Sequence, residues 1–273
     1  VTVRSEIREA ARALESVSPT ARLDAELLMA HALGVSREAM ILARLGDPVP
    51  DGFARLVERR LRHEPVAYLT GRRAFWTIEL IVGPGVLVPR ADSETLIEVA
   101  VAHFGDRAPG RILDLGTGPG TLLLAALDQW PGATGLGVDA SEAALDYARL
   151  NAEALGMAER AELRAGDWSD GIAERFDLIL TNPPYIGTRE ALPAEVREHE
   201  PAEALFAGSD GLDDYRRIVP ELPRLLAPGG IAVIEIGSTQ AEAVGAMVTQ
   251  AGLNAGVARD LAGLPRVVSA VEI

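Results

Sequence analysis

The tetrapeptide Asn182-Pro183-Pro184-Tyr185 joins residue types that together can hold a planar NH2 group. The Asn182 side-chain carbonyl and the Pro183 main-chain carbonyl can each accept one of its two hydrogens, and the Tyr185 ring can stack on its plane. Tandem prolines stiffen the backbone, so the carbonyl directions are set before a substrate arrives. An amide nitrogen is a poor nucleophile because its lone pair is delocalised. It reacts with an already activated electrophile, such as a methyl sulfonium, only on in-line approach. The chemistry expected is therefore nitrogen methylation, driven by positioning and by polarising N–H bonds, without a strong general base. An Asn-Pro dipeptide by itself usually marks a turn. This one gains weight because it directly follows the apolar run Phe176-Asp177-Leu178-Ile179-Leu180 and lies downstream of a glycine-rich turn.

That turn is Asp114-Leu115-Gly116-Thr117-Gly118-Pro119-Gly120, between the run starting at Arg111 and a helix expected near Thr121. Glycines at 116, 118 and 120 let a ligand approach bare backbone at the carboxyl end of a strand, where open α/β sheets bind ligands. The spacing is G-x-G-x-G and not the G-x-G-x-x-G that places a pyrophosphate on a helix N-terminus, so a cofactor without phosphate is favoured. Asp139 ends the next strand, just before Ser141, a helix cap. A carboxylate there can accept hydrogen bonds from both hydroxyls of a ribose. Asp167 and Trp168 end the third strand, where the acid can receive an adenine amino group and the ring can cover its face; Trp168 suits core packing equally well. Each terminal Asp could otherwise be an ordinary helix cap, but three strand ends in this order point together to a nucleoside-type ligand.

Two regions of different period must position these groups. From Ser5 to about Leu61 the apolar residues recur at helical spacing (Ile7, Ala11, Leu14; Leu23, Leu27, Ala30; Phe53, Leu56, Val57, Leu61), interrupted at Ser18-Pro19 and Gly46-Asp47-Pro48. This predicts a helical bundle over 1–73. Between 74 and 90, Phe75 to Val82 and Val86 to Val88 predict two strands about Gly83-Pro84-Gly85, a hairpin linker. Over 91–273, strand-like runs at 111–115, 135–139, 161–164, 176–180, 231–236 and 267–273 alternate with helical ones. That pattern predicts an α/β domain with a mainly parallel sheet.

The formal net charge of −14 argues against a free-standing nucleic-acid binder, which needs a basic surface. The acidity is uneven: residues 1–74 carry 12 Arg against 10 acidic residues, and the remainder is strongly acidic. Arg55, Arg59 and Arg62 fall on one helical face near Arg60, Arg72 and Arg73; this is a solvated face or a dock for an anionic partner. No apolar run reaches the length of a membrane span, and the charged amphipathic start is unlike a secretion signal. Cysteine is absent and the four histidines are scattered, so no disulfide, thiol nucleophile or metal site is expected. Cytoplasmic residence and a monomer are the defaults.

Glu64-Pro65-Val66-Ala67-Tyr68-Leu69-Thr70-Gly71, Phe75-Trp76, Leu87 to Thr95, the glycine turn, Asn182 to Tyr185, and Glu200 to Leu205 with Gly211, Leu212 and Tyr215 cover nearly the whole chain. Together they resemble the protein-(glutamine-N5) methyltransferases of peptide chain release factors, the HemK/PrmC family. The resemblance implies a helical N-terminal domain joined by a hairpin to a class I, Rossmann-like methyltransferase domain with a seven-stranded sheet. It implies S-adenosylmethionine as methyl donor and S-adenosylhomocysteine as product. It also implies, as substrate, the glutamine of the Gly-Gly-Gln loop of bacterial class 1 release factors. Residues 116–120, Asp139 and Trp168 would hold the donor, and Asn182 to Tyr185 the glutamine. Pro119 departs from the small or hydroxyl residue expected there, and Thr121 to Leu124 is bulkier than an alanine-rich helix start.

Three rivals share parts of the pattern. A glutamine methyltransferase acting on a ribosomal protein would have the same clamp. An adenine-N6 or guanine-N2 methyltransferase would present an equivalent NH2 group, though the acidic charge disfavours it. A non-catalytic cofactor-binding assembly protein would not need Asn182.

Overall fold

The computed structural model describes residues 1–273, which divide into two compact units. One is Val1–Arg72 with Val82–Pro84 and Leu192–Glu200; the other is Arg73–Ile81 with Gly85–Ala191 and Pro201–Ile273. The first is helical, with α1 (Val3–Leu14), α2 (Ala21–Leu33), α3 (Arg37–Ala43), α4 (Phe53–Leu61) and α5 (Val66–Thr70). Their apolar stripes close on one core centred on Ile7, Leu14, Leu28, Met29, Met40 and Phe53. A capping box starts α1: Ser5 N donates to Thr2 Oγ1 while the Thr2 amide donates to Ser5 Oγ.

Arg60 departs from the expected basic face. It is only 3% exposed, donates to Asp24 Oδ2 at 2.8 Å and to the Glu64 carbonyl at 3.2 Å, and pairs with Glu195 Oε2 at 2.8 Å. A guanidinium surrounded by acceptors can leave water because its charge and fork of donors are satisfied. Arg59 is tied to Glu64, and Arg55 and Arg62 are exposed.

In the second unit, β1 (Arg72–Phe75) and β2 (Ile78–Ile81) form a hairpin, followed by α6 (Glu94–Phe104), β3 (Arg111–Leu115), α7 (Thr121–Gln129), β4 (Thr134–Asp139), α8 (Glu142–Ala154), β5 (Ala161–Ala165) and β6 (Phe176–Thr181). After α9 (Ala194–His199), which belongs to the first unit, come α10 (Asp213–Ile218), α11 (Leu222–Leu225), β7 (Leu226–Glu235), α12 (Ala241–Gln250), β8 (Leu253–Arg259) and β9 (Pro265–Glu272). The expected seven-stranded sheet is present in the order β5-β4-β3-β6-β7-β9-β8, parallel except that β9 runs antiparallel between β7 and β8. β3 has β4 on one side and β6 on the other. The chain therefore winds outward in both directions from β3, and the crevice at the carboxyl ends of β3 and β6 is the switch point where such sheets bind ligands.

The hairpin differs from the sequence expectation. Its turn falls at Trp76-Thr77, with Trp76 at φ +53° and its amide donating to Glu94 Oε1 at 2.9 Å, and not at Gly83-Pro84-Gly85. Val86 and Val88 are buried but form no strand. Pro84 and Pro89 bracket them and offer no N–H to a ladder, so their alternation reflects burial and not pairing. The sequence pattern does not predict β8. As an edge strand with mostly exposed residues, it carries little of the alternation that marks a half-buried one.

Candidate functional site

A cavity of about 690 Å3 opens at the switch point, and every residue lining it belongs to the second unit. Gly116, Thr117, Gly118, Pro119, Asp139, Asp167, Trp168, Asn182 and Pro184, all singled out in the sequence, line it. Gly120, Pro183 and Tyr185 stand behind the wall. Gly120 begins α7 at φ +85°, where a Cβ would come within 2.8 Å of Leu124 Cδ1.

The glycine turn is held by the strand beside it. Gly116 N and Thr117 N both donate to the Val138 carbonyl, at 2.8 and 3.0 Å. Asp139 then closes the turn, accepting from Gly118 N at 2.8 Å on Oδ2 and from Ser141 N at 2.9 Å on Oδ1. The helix α8 that Ser141 caps carries Asn151, a buried side chain absent from the sequence-derived candidates. Its amide donates to the Pro119 carbonyl at 2.9 Å and the Ile81 carbonyl at 3.0 Å and accepts from Ile81 N at 2.6 Å. It thus ties the hairpin to the turn.

Asp114 opens the turn, and the sequence pattern assigns it no role. It is 1% exposed; Oδ2 accepts from Thr117 Oγ1 at 2.7 Å and Leu123 N at 3.1 Å, while Oδ1 has no partner. Burial pushes this carboxyl up to about 7, with Asp139 adding in the same direction.

Trp168 sits in the left-handed region at φ +51° with its ring over the turn, so that a Cβ on Gly116 would lie 3.1 Å from Cζ3. Two side chains of α10 flank this lip: Asp214, whose carboxyl the indole favours in its charged form, and Arg217, which donates to Asp167 Oδ2 at 2.6 Å. Arg217 itself lines the cavity, as do Arg90, Ser93 and Glu203.

On the opposite wall, β6 delivers the Asn-Pro-Pro-Tyr segment, and Thr181 anchors its start by donating to the Leu115 carbonyl at 2.8 Å. Asn182 and Pro184 face the cavity. The Tyr185 ring packs against the sheet core, with its hydroxyl 3.5 Å from Glu235 Oε1. The histidines do not gather: His103 Nε2 meets the Gly229 carbonyl and His199 Nε2 the Arg62 carbonyl.

The residues suit a nucleoside sulfonium on structural grounds. Gly118, at φ +57°, has nothing within 4 Å of where a Cβ would stand, and the glycine floor is correspondingly open. The unpartnered Asp114 oxygen is a buried acceptor for a cationic or N–H group. Of the two lining guanidiniums, that of Arg217 is already engaged with Asp167, so the wall is poorly suited to a pyrophosphate.

Residues 7–71 match the family model described as the PrmC N-terminal domain, and residues 107–262 match a methyltransferase domain. Among solved structures, a methyltransferase from Pyrococcus furiosus aligns with a TM-score of 0.53 at 18% identity, covering 71% of this chain and 89% of that one. The Thermus thermophilus 16S rRNA N2 G1207 methyltransferase, solved with AdoMet and guanosine, aligns at 0.51 and 19% identity, over 74% and 50%. At these identities the likeness shows the fold alone. Among curated sequences, the release factor glutamine methyltransferase of Caulobacter vibrioides is 42% identical over 92% of this chain and 89% of its own. That of Bradyrhizobium diazoefficiens is 41% identical over 96% and 91%. With two-fifths of its residues shared across nine-tenths of its length, the chain belongs to the family of release factor glutamine methyltransferases.

Proposed function

We propose that this chain transfers a methyl group from S-adenosylmethionine to the side-chain amide nitrogen, N5, of the glutamine in the Gly-Gly-Gln loop of bacterial class 1 release factors, and so modulates translation termination. The observation that carries the reading is that the glycine turn and Asn182 share one cavity, in a chain whose relatives are named for that reaction. Release factors act on cytoplasmic ribosomes, which puts the enzyme in the same compartment.

Gly116, Thr117, Gly118, Pro119 and Gly120 would form the floor under the donor, Asp139 would accept from its ribose, and Asp167 and Trp168 would hold its adenine. S-adenosylmethionine supplies, when bound, a methyl group on a sulfonium and leaves as S-adenosylhomocysteine. Asn182 Oδ1 and the Pro183 carbonyl accept the two amide hydrogens, fix the nitrogen and draw electron density toward it. Tyr185, whose ring packs against the sheet core, would stack on the amide plane only after turning toward the cavity, and Pro184, which lines it, keeps the segment rigid. After transfer the methylated nitrogen releases one N–H proton to solvent through the open mouth of the cavity. The helical region 1–73, matched by the N-terminal family model, would dock the substrate protein, with 74–90 as linker and 91–273 as the methyltransferase domain.

The test is incubation with methyl-labelled S-adenosylmethionine, a recombinant release factor, and its Gly-Gly-Gln to Gly-Gly-Ala variant, with Asn182→Ala enzyme as control, and localisation of label by mass spectrometry. Label on that one glutamine, absent in both controls, is expected. Label on a ribosomal protein or a nucleic acid, with the release factor untouched, would overturn the substrate assignment and leave the clamp chemistry standing.

A further inference from the structure

Gly211, Tyr215 and Gln240 lie outside the cavity wall, yet all three converge on the back of the Asn-Pro-Pro-Tyr segment. The Gln240 Nε2 donates to the Tyr185 carbonyl at 2.9 Å and to the Gly211 carbonyl at 3.2 Å, while its Oε1 accepts from Gly237 N at 2.9 Å. This amide has one workable orientation. Turned over, it would set its oxygen against two carbonyls and its NH2 against an N–H, losing all three bonds. A single side chain therefore joins the segment leaving β6, the segment leaving β7 and the loop leading into α10.

The slot around it has no spare room. Gly211 is at φ +71°, and a Cβ there would lie 2.2 Å from the Tyr185 carbonyl oxygen and 2.8 Å from Gln240 Nε2. At Gly237 a Cβ would lie 2.9 Å from Gln240 Oε1 and 3.4 Å from Cδ2 of the Tyr185 ring. Tyr215, fully buried, closes the slot from below: its hydroxyl donates to the Glu235 carbonyl at 2.9 Å and stands 3.4 Å from Gln240 Oε1. The two prolines stiffen the clamp at its start, but they do nothing to fix its far end, where the ring of Tyr185 departs. That end is fixed by Gln240.

We infer that Gln240, seated in the glycine slot formed by Gly211 and Gly237, is a positioning residue that sets the Tyr185 backbone and ring, and through them the attitude of the acceptor amide toward the methyl donor. The inference rests on the proposed reaction. Gln240 is not part of the cavity lining, so its loss changes the orientation of the acceptor and not the affinity for the donor. Misplacement of reacting groups by about 1 Å can cost on the order of 100-fold in rate.

Gln240→Glu keeps the length of the side chain and an oxygen for Gly237 N but replaces the Nε2 donor; Gln240→Leu removes every bond; Gly211→Ala fills the slot. Each is assayed for kcat and KM on the release factor, for S-adenosylhomocysteine affinity and site number by calorimetry, and for Tm. The expected result is a fall in kcat of about 10- to 100-fold per calorimetrically competent site, with KM and S-adenosylhomocysteine Kd changed less than about threefold. A merely structural role would lower the number of competent sites and leave kcat per site intact. That outcome, an unchanged kcat, or a loss of kcat that tracks loss of donor affinity would each overturn the inference. Gln240→Glu keeps the test valid should Gln240→Leu fail to fold. Wild-type enzyme that methylates the release factor while the variants match it sinks this inference alone; wild-type enzyme that leaves the glutamine unlabelled sinks the proposed reaction, and this inference with it.

Discussion

The hydroxyl of Tyr185 stands 3.5 Å from Oε1 of Glu235, a carboxyl that is 1% exposed. Burial, with the Glu235 charge second, pushes the phenol up to about 12, so Tyr185 keeps its proton. Burial likewise pushes Glu235 up to about 7, outweighing the opposing influence of the Ser93 hydroxyl and the Arg266 charge. A neutral ring is therefore backed by an acid that titrates near neutrality.

That acid gives stability a pH dependence with a defined sign. The unfolded chain releases the Glu235 proton near 4.5, while the folded chain keeps it to about 7. The folded state thus binds more protons in this window, and its stability falls as pH rises from about 4.5 to about 7, levelling above. Buried Asp114, also raised to about 7, adds in the same direction from its own lower starting value. Glu235→Gln removes its own contribution, and the expected loss of slope corresponds to about 2–3 kcal/mol over the window. Urea unfolding at pH 5, 6, 7 and 8 reads it; wild-type and variant curves that stay parallel would show that Glu235 titrates normally.

Trp168 depends on α10 for a conformation it would not choose. Its backbone lies at φ +51°, and its indole is beside Asp214, whose carboxyl burial pushes up against the opposing influence of the indole. A non-glycine residue in that region costs on the order of 1 kcal/mol and persists only where neighbours hold it. Asp214→Ala removes this polar neighbour of the indole, and Trp168 is expected to relax away from Gly116. S-adenosylhomocysteine Kd should rise about 5- to 20-fold, the equivalent of about 1–2 kcal/mol. Calorimetry showing unchanged Kd would place Trp168 outside the donor site.

Much of this was legible in the sequence, and the gaps have physical causes. Asp139, Trp168 and Asn182 could be found because each follows an apolar run at a strand end, and strand ends are where a parallel sheet presents side chains to a ligand. Asn151, Gln240 and Asp214 could not. Each lies in or beside a helix and acts on a backbone group or ring remote in sequence, such as Pro119 or Tyr185, and no local periodicity records such a pairing. Arg60 misled for the related reason that helical spacing assigns a face but not what covers it. The run Val86 to Val88 misled because burial and strand pairing leave the same apolar alternation.

Asn151 offers a test of that remote tie. Its side chain is 1% exposed and makes three bonds, to Ile81 N, the Ile81 carbonyl and the Pro119 carbonyl. Asn151→Leu fills similar space but leaves all three backbone groups unpaired, a cost of about 2–4 kcal/mol. Because Pro119 lies in the donor floor, affinity for S-adenosylhomocysteine should fall as well, by about tenfold. Denaturant unfolding and calorimetry measure the two effects. Lost stability with full affinity would mean that the turn holds its shape without α8.

The first unit has its own buried network, in which Arg60 meets Asp24 and Glu195, each at 2.8 Å. Attraction between such charges is offset by the cost of drying them, so the pair need contribute little net stability. Removing one partner is different, because it strands the other. Asp24→Ala leaves the Arg60 guanidinium, 3% exposed, with Glu195 and the Glu64 carbonyl only, and should destabilise this unit by about 2–4 kcal/mol. Asp24→Leu combined with Arg60→Met replaces the pair by apolar groups and should recover most of the loss, although it leaves Glu195, 32% exposed, to water. A double-mutant cycle by urea unfolding decides the matter. Recovery in the double variant relative to the single Asp24→Leu and Arg60→Met variants identifies the stranded charge as the source of the damage, whereas a double variant as unstable as the sum of those two would mean that the side chains act independently and that no stranded charge is at work.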